Sequence, residues 1–172
     1  MKLVQLTLPL FLLLSTPRAS AADEFESVRC GADVVKAVVG RKMSRTTVSA
    51  LESAHKDLGL KNLGGDGMPE DPYSLVEWQL CQSVVVFLVD HRSRRGVITD
   101  AVVLPDDLKD LPQALPGADC QRQGKLAEQE LFVLLDKGPR TARAPARKAW
   151  RIDLTSMKFV GVASDGLSCA QE

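Results

Sequence analysis

The chain has 172 residues, with 22 Lys and Arg against 22 Asp and Glu, only 5% aromatic residues, and four cysteines. Charge balance and scarce aromatics disfavour nucleic acid, which calls for a markedly basic surface and stacking rings. The length suits one domain.

The first element is a leader. Lys2 precedes an apolar run, Leu3 to Leu14, and Ala19-Ser20-Ala21 supplies the small residues that a signal peptidase requires. The run is about a dozen residues, where a bilayer-spanning helix needs roughly twenty. Residues 1–21 are therefore expected to be a cleaved signal peptide, and 22–172 a single secreted or periplasmic domain without a transmembrane anchor. Cleavage removes Lys2 and Arg18 but no acid, so 20 basic residues remain against 22 acidic ones.

Cys30, Cys81, Cys120 and Cys169 all follow the leader. An even count in an oxidising compartment predicts two disulfides. Cys30–Cys81 with Cys120–Cys169 is favoured, because each bridge then closes one half of the chain. The nested pairing, Cys30–Cys169 with Cys81–Cys120, stays open.

Residues 22–29 are charged and expected to be loose. Apolar positions 34, 35, 38 and 39 predict a short helix ending at Gly40. A second helix is predicted from an N-cap at Ser44 through the stripe Val48, Leu51, His55 and Leu58 to a stop at Gly59. The glycine-rich, acidic stretch 60–72 reads as a loop. Val76, Trp78 and Leu80 alternate with Glu77 and Gln79, as in a half-buried strand. Residues 83–90 are apolar on both faces and predict a central strand, followed by a hairpin loop, 91–96, into a strand over 97–104. The proline-rich, acidic stretch 105–117 reads as a long ordered loop. Strands are expected over 130–136, 149–154 and 157–163, the last two joined by a tight turn at Thr155-Ser156. The assembly these elements predict is α+β, with two N-terminal helices packed on an antiparallel sheet of about five or six strands.

Gly40-Arg41-Lys42-Met43-Ser44, followed by Val48 and Leu51, resembles the Gly-Met-Thr-x-x-x-Val helix-turn-helix of β-lactamase-inhibitor-like and outer-membrane-assembly small proteins. Two extra residues separate Gly40 from Met43, and the likeness spans about a dozen positions. It implies two helices on an antiparallel sheet and nothing about function.

No catalytic constellation stands out. His55 follows Glu52 by one helical turn, yet a metal needs at least one further ligand. Asp90-His91 lies at a hairpin tip, and the Gly-x-Ser-x-Gly nucleophile turn is absent. Asp66, Glu70 and Asp71 lack the spacing of a calcium loop. Asp106, Asp107 and Asp110 sit in a loop with no apolar pocket to raise a pKa. No metal or cofactor is therefore expected, and the four cysteines are read as staples.

The conspicuous stretch is 137–151, which holds Lys137, Arg140, Arg143, Arg147, Lys148 and Arg151 with no acid among them. It reads as an extended loop. With Arg92, Arg94 and Arg95 it would form one basic rim if both loops lay at the same end of the sheet. Such a rim suits an acidic protein or a cell-envelope polyanion. The expected function is a non-enzymatic binding protein of inhibitor or envelope-accessory type. A secreted hydrolase built around His55 or His91 and a structural envelope protein are the alternatives.

Overall fold

The computed structural model describes residues 23–66, 71–93, 95–138 and 143–170. The leader, Glu70, Arg94 and Arg140 lie outside them.

The architecture is mostly β, and the α+β expectation is corrected. Strand takes 43% of the described residues and helix 11%, in two antiparallel sheets of four and seven strands. The helices are α1 (Val34–Val38) and α2 (Val48–Ala54), and a 3₁₀ turn, Lys56–Leu58, follows the second. The first sheet is the meander β1 (Lys61–Asp66), β2 (Tyr73–Leu80), β3 (Ser83–Asp90) and β4 (Val97–Val103). The second comprises β5 (Gln113–Ala114), β6 (Cys120–Arg122), β7 (Lys125–Leu126), β8 (Leu131–Leu135), β9 (Ala144–Asp153), β10 (Lys158–Val162) and β11 (Leu167–Cys169). Its order is β5-β8-β9-β11-β6-β7, with β10 on the later part of β9.

Two strands explain why this is a layered sandwich rather than one sheet under two helices. On β3, Val85, Phe87 and Val89 face a core shared with Phe25, Val38, Leu51 and Trp78. Val84, Val86 and Leu88 face the opposite way, into a core with Phe132, Leu134, Trp150 and Ile152 of the second sheet. β8 repeats the pattern, sending Leu131, Val133 and Leu135 into a third core with Cys120, Leu167 and Cys169. Two strands buried on both faces need cover on more sides than two short helices can give, so the sheets cover each other. At one edge the sheets are tied by side chains: the Asp100 carboxylate accepts from the Phe159 N–H at 2.9 Å, and Lys158 Nζ donates to the Thr99 carbonyl at 2.6 Å.

Several boundaries also move. The segment predicted to be loose is anchored, because Phe25 and Val28 are fully buried and Phe25 sits edge-on to Trp78 at 5.0 Å. α2 starts after Thr47 rather than Ser44. Residues 42 and 43 are already held against β4, and the Ser44 N–H donates to the buried Glu24 carboxylate. The stretch read as a loop, 60–72, contains β1, whose Gly65 allows close approach to β2. The loop expected over 105–117 contributes β5, and β6, β7 and β11 carry no alternating apolar signal long enough to see. Most important, β9 begins at Ala144, so Arg147, Lys148 and Arg151 are strand residues and not part of a free loop.

The disulfides are Cys30–Cys81 and Cys120–Cys169, the sequential pairing rather than the nested one. The first ties the N-terminal segment to the β2–β3 turn. The second joins directly opposed residues of β6 and β11.

Candidate functional site

Backbone register separates Lys137 and Arg143 from the hairpin that carries Arg92 and Arg95. A groove at one end is lined by Tyr73 and Leu75 from β2 and by Gln129 and Glu130 just before β8. Further along, Gln113, opposite Leu134, donates to Glu77 at 3.0 Å. β2 and β8 therefore run alongside each other. Because Asp90 is opposite Tyr73, the hairpin carrying Arg92 and Arg95 lies at the end where β8 begins. Lys137 and Arg143 flank the end where β8 stops. These residues do not join in one rim, although Arg151, opposite Leu131, lies toward the hairpin end.

Most of the predicted cations have partners. Arg143 bonds the Asp119 carboxylate at 2.7 Å and the carbonyls of Asp119 and Ser168 at 2.6 and 3.0 Å. It braces the strands bridged by Cys120–Cys169 and is not free to bind a partner. Arg147 pairs with Asp136 at 2.6 Å, Arg151 with Glu128 at 3.8 Å and Arg92 with Asp90 at 2.7 Å. Lys148 Nζ lies 5.1 Å from the Trp150 ring centroid, a cation–π contact. Lys137 and Arg95 are exposed. Apart from Arg143, these pairs are solvent-facing, where an ion pair is worth about 0–1 kcal/mol, so a partner's carboxylates can replace the protein's own.

The histidines take partners that their neighbours in sequence do not reveal. His55 Nε2 meets both carboxylate oxygens of Asp23 at 2.9 and 3.0 Å. Glu52, one turn earlier, instead accepts the Asn62 N–H at 2.9 Å. His91 Nε2 lies 2.8 Å from Ser74 Oγ, while Asp90 turns to Arg92, whose hydrogen bonds hold the Asp90 carboxyl below its ordinary pKa. Ser74 is only 8% exposed. Among the described residues no three His, Cys, Asp or Glu side chains are grouped as metal ligands. Asp106, Asp107 and Asp110 are exposed.

The second sheet carries a feature not read from the sequence. Its outer face is covered by the β6–β7 hairpin only in part, leaving a groove of about 370 Å³ lined by Arg122, Lys125, Leu126, Glu128, Leu131 and Val162. Leu131, Arg151 and Val160 occupy opposed positions on β8, β9 and β10, so they form one row across this face. Leu126 is 73% exposed at the lip. The sequence signal was slight: a two-residue Gln123-Gly124 turn between very short strands.

No protein-family model, curated protein or solved structure matches the chain.

Proposed function

We propose that the chain is an exported, non-enzymatic binding domain, secreted or periplasmic, that engages an acidic protein through the exposed basic side chains of β9. The leader and the two disulfides support export, since disulfides persist in oxidising compartments. No helix among the described residues is long and apolar enough to cross a membrane. The observation that carries the binding reading is that one strand presents Arg147, Lys148 and Arg151 to solvent, with only weakly held surface acids opposite them.

The test uses fluorescent poly-L-glutamate as a probe. The wild-type protein is expected to bind it with an affinity that falls steeply with salt. The triple variant Lys137→Glu, Arg147→Glu, Lys148→Glu should bind at least tenfold more weakly with an unchanged melting temperature; equal binding overturns the proposal. Arg143 is left intact because its bonds brace the fold. A hydrolase reading has one observation in its favour, the Ser74–His91 contact at 2.8 Å. Ester hydrolysis that disappears in His91→Ala would replace the binding reading.

A further inference from the structure

We infer that the groove beside the β6–β7 hairpin is the anchor point for an acidic peptide segment that carries an aliphatic side chain. This rests on the reading that the partner is an acidic protein, and it specifies what else that partner must present.

The groove is built from rigid parts. β6 is clamped to β11 by the Cys120–Cys169 bridge, and the hairpin turn at Gln123 and Gly124 has φ of 52° and 77°, which folds β7 straight back on β6. The Gln123 N–H donates to the Gly166 carbonyl at 2.9 Å. The Arg122 guanidinium donates to the carbonyls of Asp165 and Ala163 at 2.9 and 2.8 Å. A site held this way loses little side-chain and loop entropy when a ligand arrives.

Its chemistry is two-sided. The floor is apolar, from Leu131 and Val162, and the exposed face continues over Val160. A lone exposed leucine is ordinary. Leu126 differs because it overhangs a concave apolar floor of a size, about 300–1,000 Å³, that accepts ligands. The rim is positive. Among the described residues Arg122 bonds only carbonyls, which leave its charge uncompensated, and no carboxylate lies in ion-pair range of Lys125. Among the described residues lining the groove Glu128 is the one acid, and it stands 3.8 Å from Arg151, a long contact. Two cations, Arg122 and Lys125, thus line an apolar floor, and Arg151, in the same row as Leu131, stands beside it against the one acid, Glu128. An aliphatic side chain fills the floor while carboxylates on either side of it meet the rim.

The experiment titrates the full exported protein with a fluorescein-labelled Glu-Leu-Glu-Leu-Glu peptide, with Glu-Ser-Glu-Ser-Glu and Gln-Leu-Gln-Leu-Gln as comparison probes. Glu-Leu-Glu-Leu-Glu should bind at least fivefold more tightly than either. Leu126→Ser and Lys125→Glu should each erase that advantage without lowering the melting temperature, since both side chains are exposed. Equal binding of the serine peptide, or no effect of Leu126→Ser, overturns the inference. Poly-L-glutamate, which has no aliphatic side chain, should bind the Leu126→Ser variant as it binds the wild type. If poly-L-glutamate binds and responds to the triple charge reversal while Leu126→Ser changes nothing, the acidic-partner reading stands and the groove assignment falls. If the leucine peptide binds but poly-L-glutamate does not, the groove stands and that reading falls. Displacement of the peptide by an equal concentration of decanoate assigns the groove to a fatty acyl chain and overturns the peptide assignment.

Discussion

Glu77 shows how much a neighbouring layer changes a single side chain. In the sequence it is the polar half of an alternating strand, which places it in water. In the structure it is opposite Val86, on the face of β2 that meets the second sheet. Burial raises its carboxyl pKa above the ordinary 4.5, and the hydrogen bond from Gln113 opposes that only in part. A carboxyl with a raised native pKa favours folding while protonated, and its contribution is lost as pH rises from 4.5 through the native value. Glu77→Gln should therefore be more stable than the wild type at pH 7, with the difference closing as pH falls through the raised native value toward 4.5. Melting curves of both proteins from pH 4 to 8 check this, and a difference independent of pH refutes it. Gly65 is the second residue whose role only the neighbouring strand defines. A Cβ there would lie 2.2 Å from the Leu75 carbonyl oxygen, closer than any atom pair tolerates. Gly65→Ala should cost about 1–3 kcal/mol in chemical denaturation, the range for forced overpacking.

At the scale of elements, the β2–β3 hairpin combines a legible pattern with an illegible turn. The flanking strands were clear from their apolar residues. The turn residues Cys81 and Gln82 have φ of 51° and 67°, a left-handed pair that usually calls for Asn-Gly. The strands on both sides are committed by packing on the core, and the Cys30 bridge holds the turn in place. Non-glycine residues in this region each carry roughly 1–2 kcal/mol of backbone strain. Gln82→Gly should relieve part of it, raising stability by about 0.5–1 kcal/mol after glycine's own entropy loss. Equilibrium urea unfolding reads this directly, and a loss of stability argues against strain at the turn. β9 gives the opposite case. Its alanines, arginines and Pro145 lack strand character, so its first half reads as a loop. β8 on one side and β11 on the other make it a strand, and Arg143 just before it ties Asp119 to Ser168.

At the scale of the molecule, the two disulfides divide the labour. Each closes a loop, of 51 and 49 residues, and in the chain-entropy model such a bridge is worth about 4 kcal/mol. They differ in access. Cys120 and Cys169 are 2% and 0% exposed, whereas Cys30 is on the surface. Under native conditions dithiothreitol should reduce Cys30–Cys81 first, and Cys120–Cys169 only as the protein unfolds. Alkylation during a reduction time course, read by mass spectrometry, establishes the order. Loss of both bridges at the same rate means that the third core is open to solvent.

The sequence by itself determined the local facts: the spacing of the cysteines, the doubly apolar strands β3 and β8, the two short helical stripes and the absence of acids from 137–151. These follow from each residue's chemistry and its near neighbours. Only the tertiary structure decided that two sheets cover each other, that β1, β6, β7 and β11 are strands, that Lys137 and Arg143 lie at the opposite end from Arg92 and Arg95, and that Leu126 overhangs a basic-rimmed groove. Those features arise from pairing across long sequence separations, where a strand of two or three residues is fixed by its partner's backbone rather than by its own composition.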